Sequence, residues 1–186
     1  MSRSARTWLL KLECLDTMRR DALLRVGGWA AVIAGVLRVA ASFTSSLGSE
    51  VERQSLYFII DLLLLIAVFA AYVQVQEVVR GWGAAGFLTT VVGILLVRSS
   101  RAVPGLDLYP AGALAVALGW AVLGLASWRA GTASVFVPLL FVLSVVIAIV
   151  GQVLASSPSA FVASGVVFGA AVIGVGRQVL AGIGDR

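Results

Sequence analysis

A chain of 186 residues in which 60% are hydrophobic and 12% are charged carries about half the charge of an ordinary soluble domain. That is too little to cover a water-soluble fold, and a mean hydropathy of +1.04 also excludes disorder, which requires low hydrophobicity and high net charge. The net charge of +5 is not read as a nucleic-acid signal, because basic residues on a polytopic membrane protein hold cytoplasmic segments and meet anionic lipid.

Residues 1–23 differ in kind from the rest of the chain. Trp8, Leu12, Leu15 and Ala22 recur at helical spacing with charged residues between them, the pattern of an amphipathic helix on the inner membrane surface. Two other readings stand beside it. Translation starting at Met18 would leave most of the segment unmade, and Arg19-Arg20 ahead of an apolar run matches a twin-arginine export signal. The five further spans, and Arg38 inside the apolar region, weigh against export and cleavage.

Residues 24–180 contain six apolar stretches, near 24–45, 55–76, 82–98, 109–128, 132–154 and 159–180. Each is close to the roughly 20 residues that a helix needs to cross a hydrocarbon core. The connections are short, so consecutive helices are expected to be antiparallel neighbours. The sequence therefore predicts an all-α fold: a polytopic integral membrane protein, a compact bundle of six transmembrane helices with a short amphipathic N-terminal helix and a short cytoplasmic tail at 181–186.

Lys and Arg placement sets the orientation. With the N-terminus inside, Arg3, Arg6, Lys11, Arg19, Arg20, Arg25, Arg80, Arg129, Arg177 and Arg186 lie on the inner side, against Arg53, Arg98 and Arg101 on the outer. This predicts an inner or plasma membrane protein with both termini cytoplasmic. Most of the bias comes from the residues up to Arg25. Trp29, Trp82 and Trp128 then fall near inner ends, and Tyr57 and Tyr109 near outer ends, as interfacial aromatics do.

Within the spans, small residues mark where backbones approach. The first carries Gly27, Ala31 and Gly35 at four-residue spacing, the fourth Ala113, Ala117 and Ala121, and the sixth Gly165 with Gly169 and Ala170 with Gly174. Such stripes serve ordinary packing within a bundle, a dimer contact or a sliding transport interface. The run Leu62–Ile66 is bulky and suits lipid. Residues 35–42 resemble 93–100, but in a chain so rich in Ala, Val, Leu and Gly this does not establish a 3+3 or 2+2+2 repeat. Pro138 lies near the inner end of the fifth span, where it suits the first turn of a helix better than a kink.

Two ionisable residues fall inside spans. Arg38 lies roughly 10 Å from the outer end of the first span, and Asp61 roughly 9 Å from the outer start of the second, at 1.5 Å per residue. Opposite charges at one depth on adjacent antiparallel helices predict an Arg38–Asp61 pair, each lowering the cost of burying the other. Such a pair has three readings. It lines a polar cavity with Arg98, Arg101 and Gln152 near its mouth, where it binds a small anionic or zwitterionic solute or relays a proton. It is a structural clamp between helices. Or Arg38 snorkels to headgroups without a partner. The outer connections, with Glu50, Glu52 and Arg53 in one and the turn Pro104-Gly105 in the other, are the only substantial outer surface.

Enzyme signatures mostly fail. There is no His and no Asn, and Cys14 is the single Cys, so the usual general base, an intrachain disulfide and a Cys-based metal site are all missing. Gly182-Ile-Gly-Asp185 matches a string of intramembrane aspartyl proteases, but that chemistry needs two carboxylates at one depth, and Asp185 and Asp61 belong to opposite faces. Lys11, the sole Lys, is outside the bundle, so a Ser–Lys arrangement fails as well. No cofactor or metal is expected. The expected function is binding or transport of a small solute or proton through a polar site near Arg38 and Asp61. The alternative is a non-transporting accessory or regulatory protein that packs against other membrane subunits or a second copy of itself. The expected surroundings are the lipid bilayer, not nucleic acid.

Overall fold

The computed structural model describes the backbone of residues 3–43, 49–100, 107–153 and 158–184, and the side chains of these residues except 3–17, 80, 152–153, 158 and 184. The described residues form six helices: α1 (Arg3–Phe43), α2 (Glu50–Val75), α3 (Arg80–Ser99), α4 (Tyr109–Arg129), α5 (Phe136–Val153) and α6 (Pro158–Gly184). Five of them hold stretches long and apolar enough to cross a membrane, Met18–Phe43, Glu50–Val75, Gly81–Ser99, Tyr109–Arg129 and Ser159–Ile183. The apolar part of α5, Phe136–Gly151, falls short of the roughly 20 residues of a full crossing.

Two expectations change. The first concerns residues 1–23. No break separates the N-terminal segment from the first span, and α1 is one helix of 41 residues. Neither Pro nor Gly occurs before Gly27, so the chain carries no signal to stop and turn. A separate amphipathic surface helix is therefore not supported. The second concerns the fifth span, expected from residue 132. Gly131 adopts a left-handed φ of 72° and ends α4, with Thr132 N–H donating to the Ser127 carbonyl at 3.0 Å. Pro138 is the third residue of α5, in the first turn where its missing N–H costs nothing. The turn and the proline together push the helix start to Phe136.

Helix starts follow local chemistry. Ser49 caps α2 as a capping box: Glu52 N–H donates to Ser49 Oγ at 3.3 Å, and Ser49 N–H donates to Glu52 Oε2 at 2.7 Å. Tyr109 N–H, at the start of α4, donates to Ser100 Oγ at 3.1 Å and to Asp107 Oδ1 at 3.0 Å. This polar knot joins the end of α3 to the start of α4.

The two most extensive helix pairings are α1 with α6 and α3 with α4, and both are antiparallel glycine seams. A Cβ on Gly35 would stand 2.5 Å from the Gly169 carbonyl oxygen, and one on Gly169 would stand 2.7 Å from the Gly35 carbonyl oxygen. Gly28 and Gly176 cross in the same reciprocal way, as do Gly86 with Gly119 and Gly93 with Gly112. On every helix the two glycines are seven residues apart, the repeat that keeps one seam facing a neighbour. The four-residue stripe of α1 is divided between neighbours. Gly27 meets Ala70 of α2, Ala31 is buried, and Gly35 meets α6. In α6, Gly165 meets Ser42 and Gly169 meets Gly35.

The middle of the bundle is filled by aromatics. Trp120 of α4, fully buried, stacks on Phe141 of α5 with centroids 5.6 Å apart, and Phe141 meets Phe168 of α6 edge-on at 5.4 Å. The run Leu62–Ile66 is not uniformly lipid-facing, since Leu62 and Ile66 are exposed but Leu64 is buried.

Candidate functional site

The polar cluster is carried by α1, α2 and α3 at the end of the bundle where α1 finishes and α2 begins. On α2, Tyr57, Phe58 and Asp61 fall within one turn. Arg98 lies in the last turn of α3, long enough to reach back along the helix surface while its stem lies on apolar side chains.

The structure does not pair Arg38 with Asp61. Asp61 is held by Arg98, whose Nε and Nη2 both lie 2.5 Å from Asp61 Oδ2. The side chains retain only 34% and 19% of their exposure, for Arg98 and Asp61 respectively, so the pair is half-shielded within apolar surroundings. Arg38 instead lies over the Tyr57 ring, 5.5 Å from its centroid, and Arg98 lies 5.6 Å from the centroid of Phe58. Each guanidinium therefore rests on an aromatic face, with the carboxylate between the two helices that carry them. Arg38 has no salt bridge among the described residues. The snorkelling and clamp readings thus divide between the two arginines: Arg98 is the clamp, and Arg38 is the cation left over.

Of the other expected members, Arg101 lies outside the described residues, as does the Gln152 side chain. Asp185 is outside them too. Among the described residues no three His, Cys, Asp or Glu come together as metal ligands.

Below the cluster runs an apolar groove of about 400 Å³, lined by Leu23 and Val26 of α1, Leu65, Ile66 and Phe69 of α2, and Phe87 and Val91 of α3. Its lining is apolar throughout. Phe69 and Tyr72 of α2 reach Phe87 of α3 across it, at centroid distances of 6.1 and 5.0 Å.

The structure adds two polar contacts to those expected. Arg20 Nη1 of α1 meets Glu77 Oε1 just beyond α2 at 2.7 Å, and Arg20 Nη2 donates to the Val73 carbonyl at 3.4 Å. This tie closes the opposite end of the α1–α2 pair. Its signal is present in the sequence, because both residues flank the same-side ends of adjacent apolar stretches. The Ser100–Asp107 bond, 3.1 Å long, has no such signal, since it depends on how the 101–106 connection returns. No protein family, curated protein or solved structure matches the chain.

Proposed function

We propose that this is a multi-pass membrane protein, with both termini cytoplasmic, that binds an anionic small molecule at the Arg38–Asp61–Arg98 cluster. The observation that carries the reading is the imbalance of charge there. Two guanidinium groups face one carboxylate, and that carboxylate is engaged by Arg98 through two N–H groups. Arg38, half-buried over Tyr57, then offers donors and a positive charge at a depth where an uncompensated cation is costly. An anion supplies what the protein withholds. A proton relay through Asp61 is the weaker version, because both contacts to its carboxylate are already taken up by Arg98. The exposed apolar faces are those any multi-pass protein turns to lipid, so they do not distinguish an accessory role.

The experiment is thermal stabilisation of the purified protein against a panel of small organic and inorganic anions. At a ligand concentration of 100 times Kd, binding stabilises by about 2.7 kcal/mol. At least one anion is expected to raise Tm in the wild type and to lose the effect in Arg38→Gln. No shift with any anion overturns the reading.

A further inference from the structure

We propose that the groove between α1, α2 and α3 holds an acyl chain of an anionic membrane phospholipid whose phosphate is bound by Arg19, a proposal that rests on the multi-pass reading but not on the Arg38 anion site.

Arg19 and the α1 wall of the groove belong to one stripe. Arg19, Leu23 and Val26 follow at four- and three-residue steps, and Leu23 and Val26 line the groove. The register of α1 on α2 then sets the depth. A Cβ on Gly27 would meet the Ala70 methyl, and Arg20, seven residues earlier, meets Glu77, seven residues later. Leu23 is therefore level with Gln74, and Arg19 lies one turn further out, about 6 Å at 1.5 Å per residue. From the level of Leu23 to Leu65 the groove runs about 14 Å by the same rise, close to one leaflet of a hydrocarbon core about 30 Å thick. Its volume of about 400 Å³ falls in the range of occupied small-molecule sites, roughly 300–1,000 Å³.

The groove opens to the outside of the bundle, since Leu23, Val26, Ile66 and Phe69 are all exposed. It stays open because the α2–α3 contact is thin, with Gly86 and Gly93 of α3 packed on α4 instead. An apolar furrow of this length on a membrane-spanning face fits an acyl chain. Charge at its mouth selects the head. Arg20 is committed to Glu77 and to the Val73 carbonyl, whereas Arg19 is exposed and has no ion pair among the described residues. The tilt of helical side chains toward the N-terminus carries the Arg19 guanidinium past the end of the groove, to the level of lipid phosphates. Around it, residues 18–25 and 76–81 carry Arg19, Arg20, Arg25 and Arg80 against Asp21 and Glu77. A choline head adds a cation to this excess, and an anionic head offsets it.

The test is lipid retention by native mass spectrometry of the full chain in neutral detergent, with Tm in parallel to verify folding. The probes are phosphatidylglycerol and phosphatidylcholine with the same acyl chains. Wild type is expected to retain one phosphatidylglycerol per chain, at least tenfold over phosphatidylcholine. Arg19→Gln and Val91→Trp, which fills the groove, should each lower that retention at least fivefold, and Leu65→Trp fills the groove from the α2 wall if Val91→Trp does not fold. Arg38→Gln, and Leu88→Trp on the exposed face of α3, should leave it unchanged. Equal retention of the two lipids, unchanged retention in Arg19→Gln, or full retention in a folded groove-filling variant each overturns the proposal. So does a lipid-free dimer that Val91→Trp dissociates, which assigns the groove to a second copy of the chain. Loss of retention in Arg38→Gln alone moves the lipid to the other end of the bundle and also overturns it. A chain recovered from the soluble fraction without detergent sinks the multi-pass reading itself.

Discussion

Arg98 of α3 holds Asp61 of α2 through two nitrogens on a single carboxylate oxygen, each 2.5 Å away, and it is this contact that ties together two helices otherwise thinly packed. Removing one partner leaves a charge in apolar surroundings. Asp61→Ala and Arg98→Ala are each expected to cost about 1–3 kcal/mol, less than the 3–5 kcal/mol of a fully buried pair, because both side chains keep some exposure. In a double-variant cycle the Asp61–Arg98 coupling should exceed about 1 kcal/mol, and the Asp61–Arg38 coupling should be the smaller. Reversible unfolding in detergent measures both, and equal couplings would refute this pairing.

The glycine seams predict a sharp positional contrast. In Gly35→Ala the new methyl meets the Gly169 backbone, and in Gly86→Ala it meets the Gly119 carbonyl and the Leu123 amide nitrogen at 2.9 and 2.8 Å. Backbone cannot rotate aside, so each should destabilise by about 1–3 kcal/mol. Gly81 has nothing within 4 Å of its missing Cβ, and Gly81→Ala should be neutral or stabilising by up to about 1 kcal/mol through helix propensity. Tm measurements on the three variants separate packing from propensity.

Trp120 is fully buried, and its Nε1 has no hydrogen-bond partner among the described residues. Trp120→Phe deletes an N–H that has no acceptor while keeping a ring against Phe141. Its cost should stay below about 1.5 kcal/mol, whereas Trp120→Ala should cost about 3–5 kcal/mol by leaving a cavity. A Phe variant as unstable as the Ala variant would show that the indole N–H is engaged after all.

Ser49→Ala removes the hydroxyl that accepts the Glu52 N–H. The expected loss is about 1 kcal/mol, with Ser49→Asp retaining most of the stability. Hydrogen exchange should quicken at residues 50–53 and not at the middle of α2, because the cap serves only the first turn.

The helices are legible in the sequence because hydropathy and length decide spans with little help from tertiary structure. The boundary of α5 is not, because it turns on the left-handed conformation of Gly131, which a run of Gly, Thr, Ala and Ser does not announce. Residues 3–23 carry an amphipathic pattern, but such a pattern does not say whether a helix lies flat or continues into a span. The site is half legible. Burial cost singles out Arg38 and Asp61 correctly as residues needing an account. Depth matching on adjacent spans then picks the wrong partner for Asp61, since an arginine at a helix end reaches a carboxylate deeper than its own backbone position. The packing signal is present at a different period. Four-residue spacing picks out Gly35 and Gly169 but passes over Gly28, Gly86, Gly93, Gly112, Gly119 and Gly176, whose seven-residue spacing governs the antiparallel seams.

The α1·α6 seam has a bearing on biogenesis. Gly35 and Gly169 stand 134 residues apart (169 minus 35), so α1 is made long before the surface it fits exists. At about 5–20 residues per second of synthesis the delay is roughly 7–27 s. Over that interval a helix with bare backbone along one side must be kept from other small-residue helices. The neighbours α3 and α4 face no such wait, since they are joined by a short connection and can zip as soon as both are made. Assembly therefore closes last at the helix that was made first.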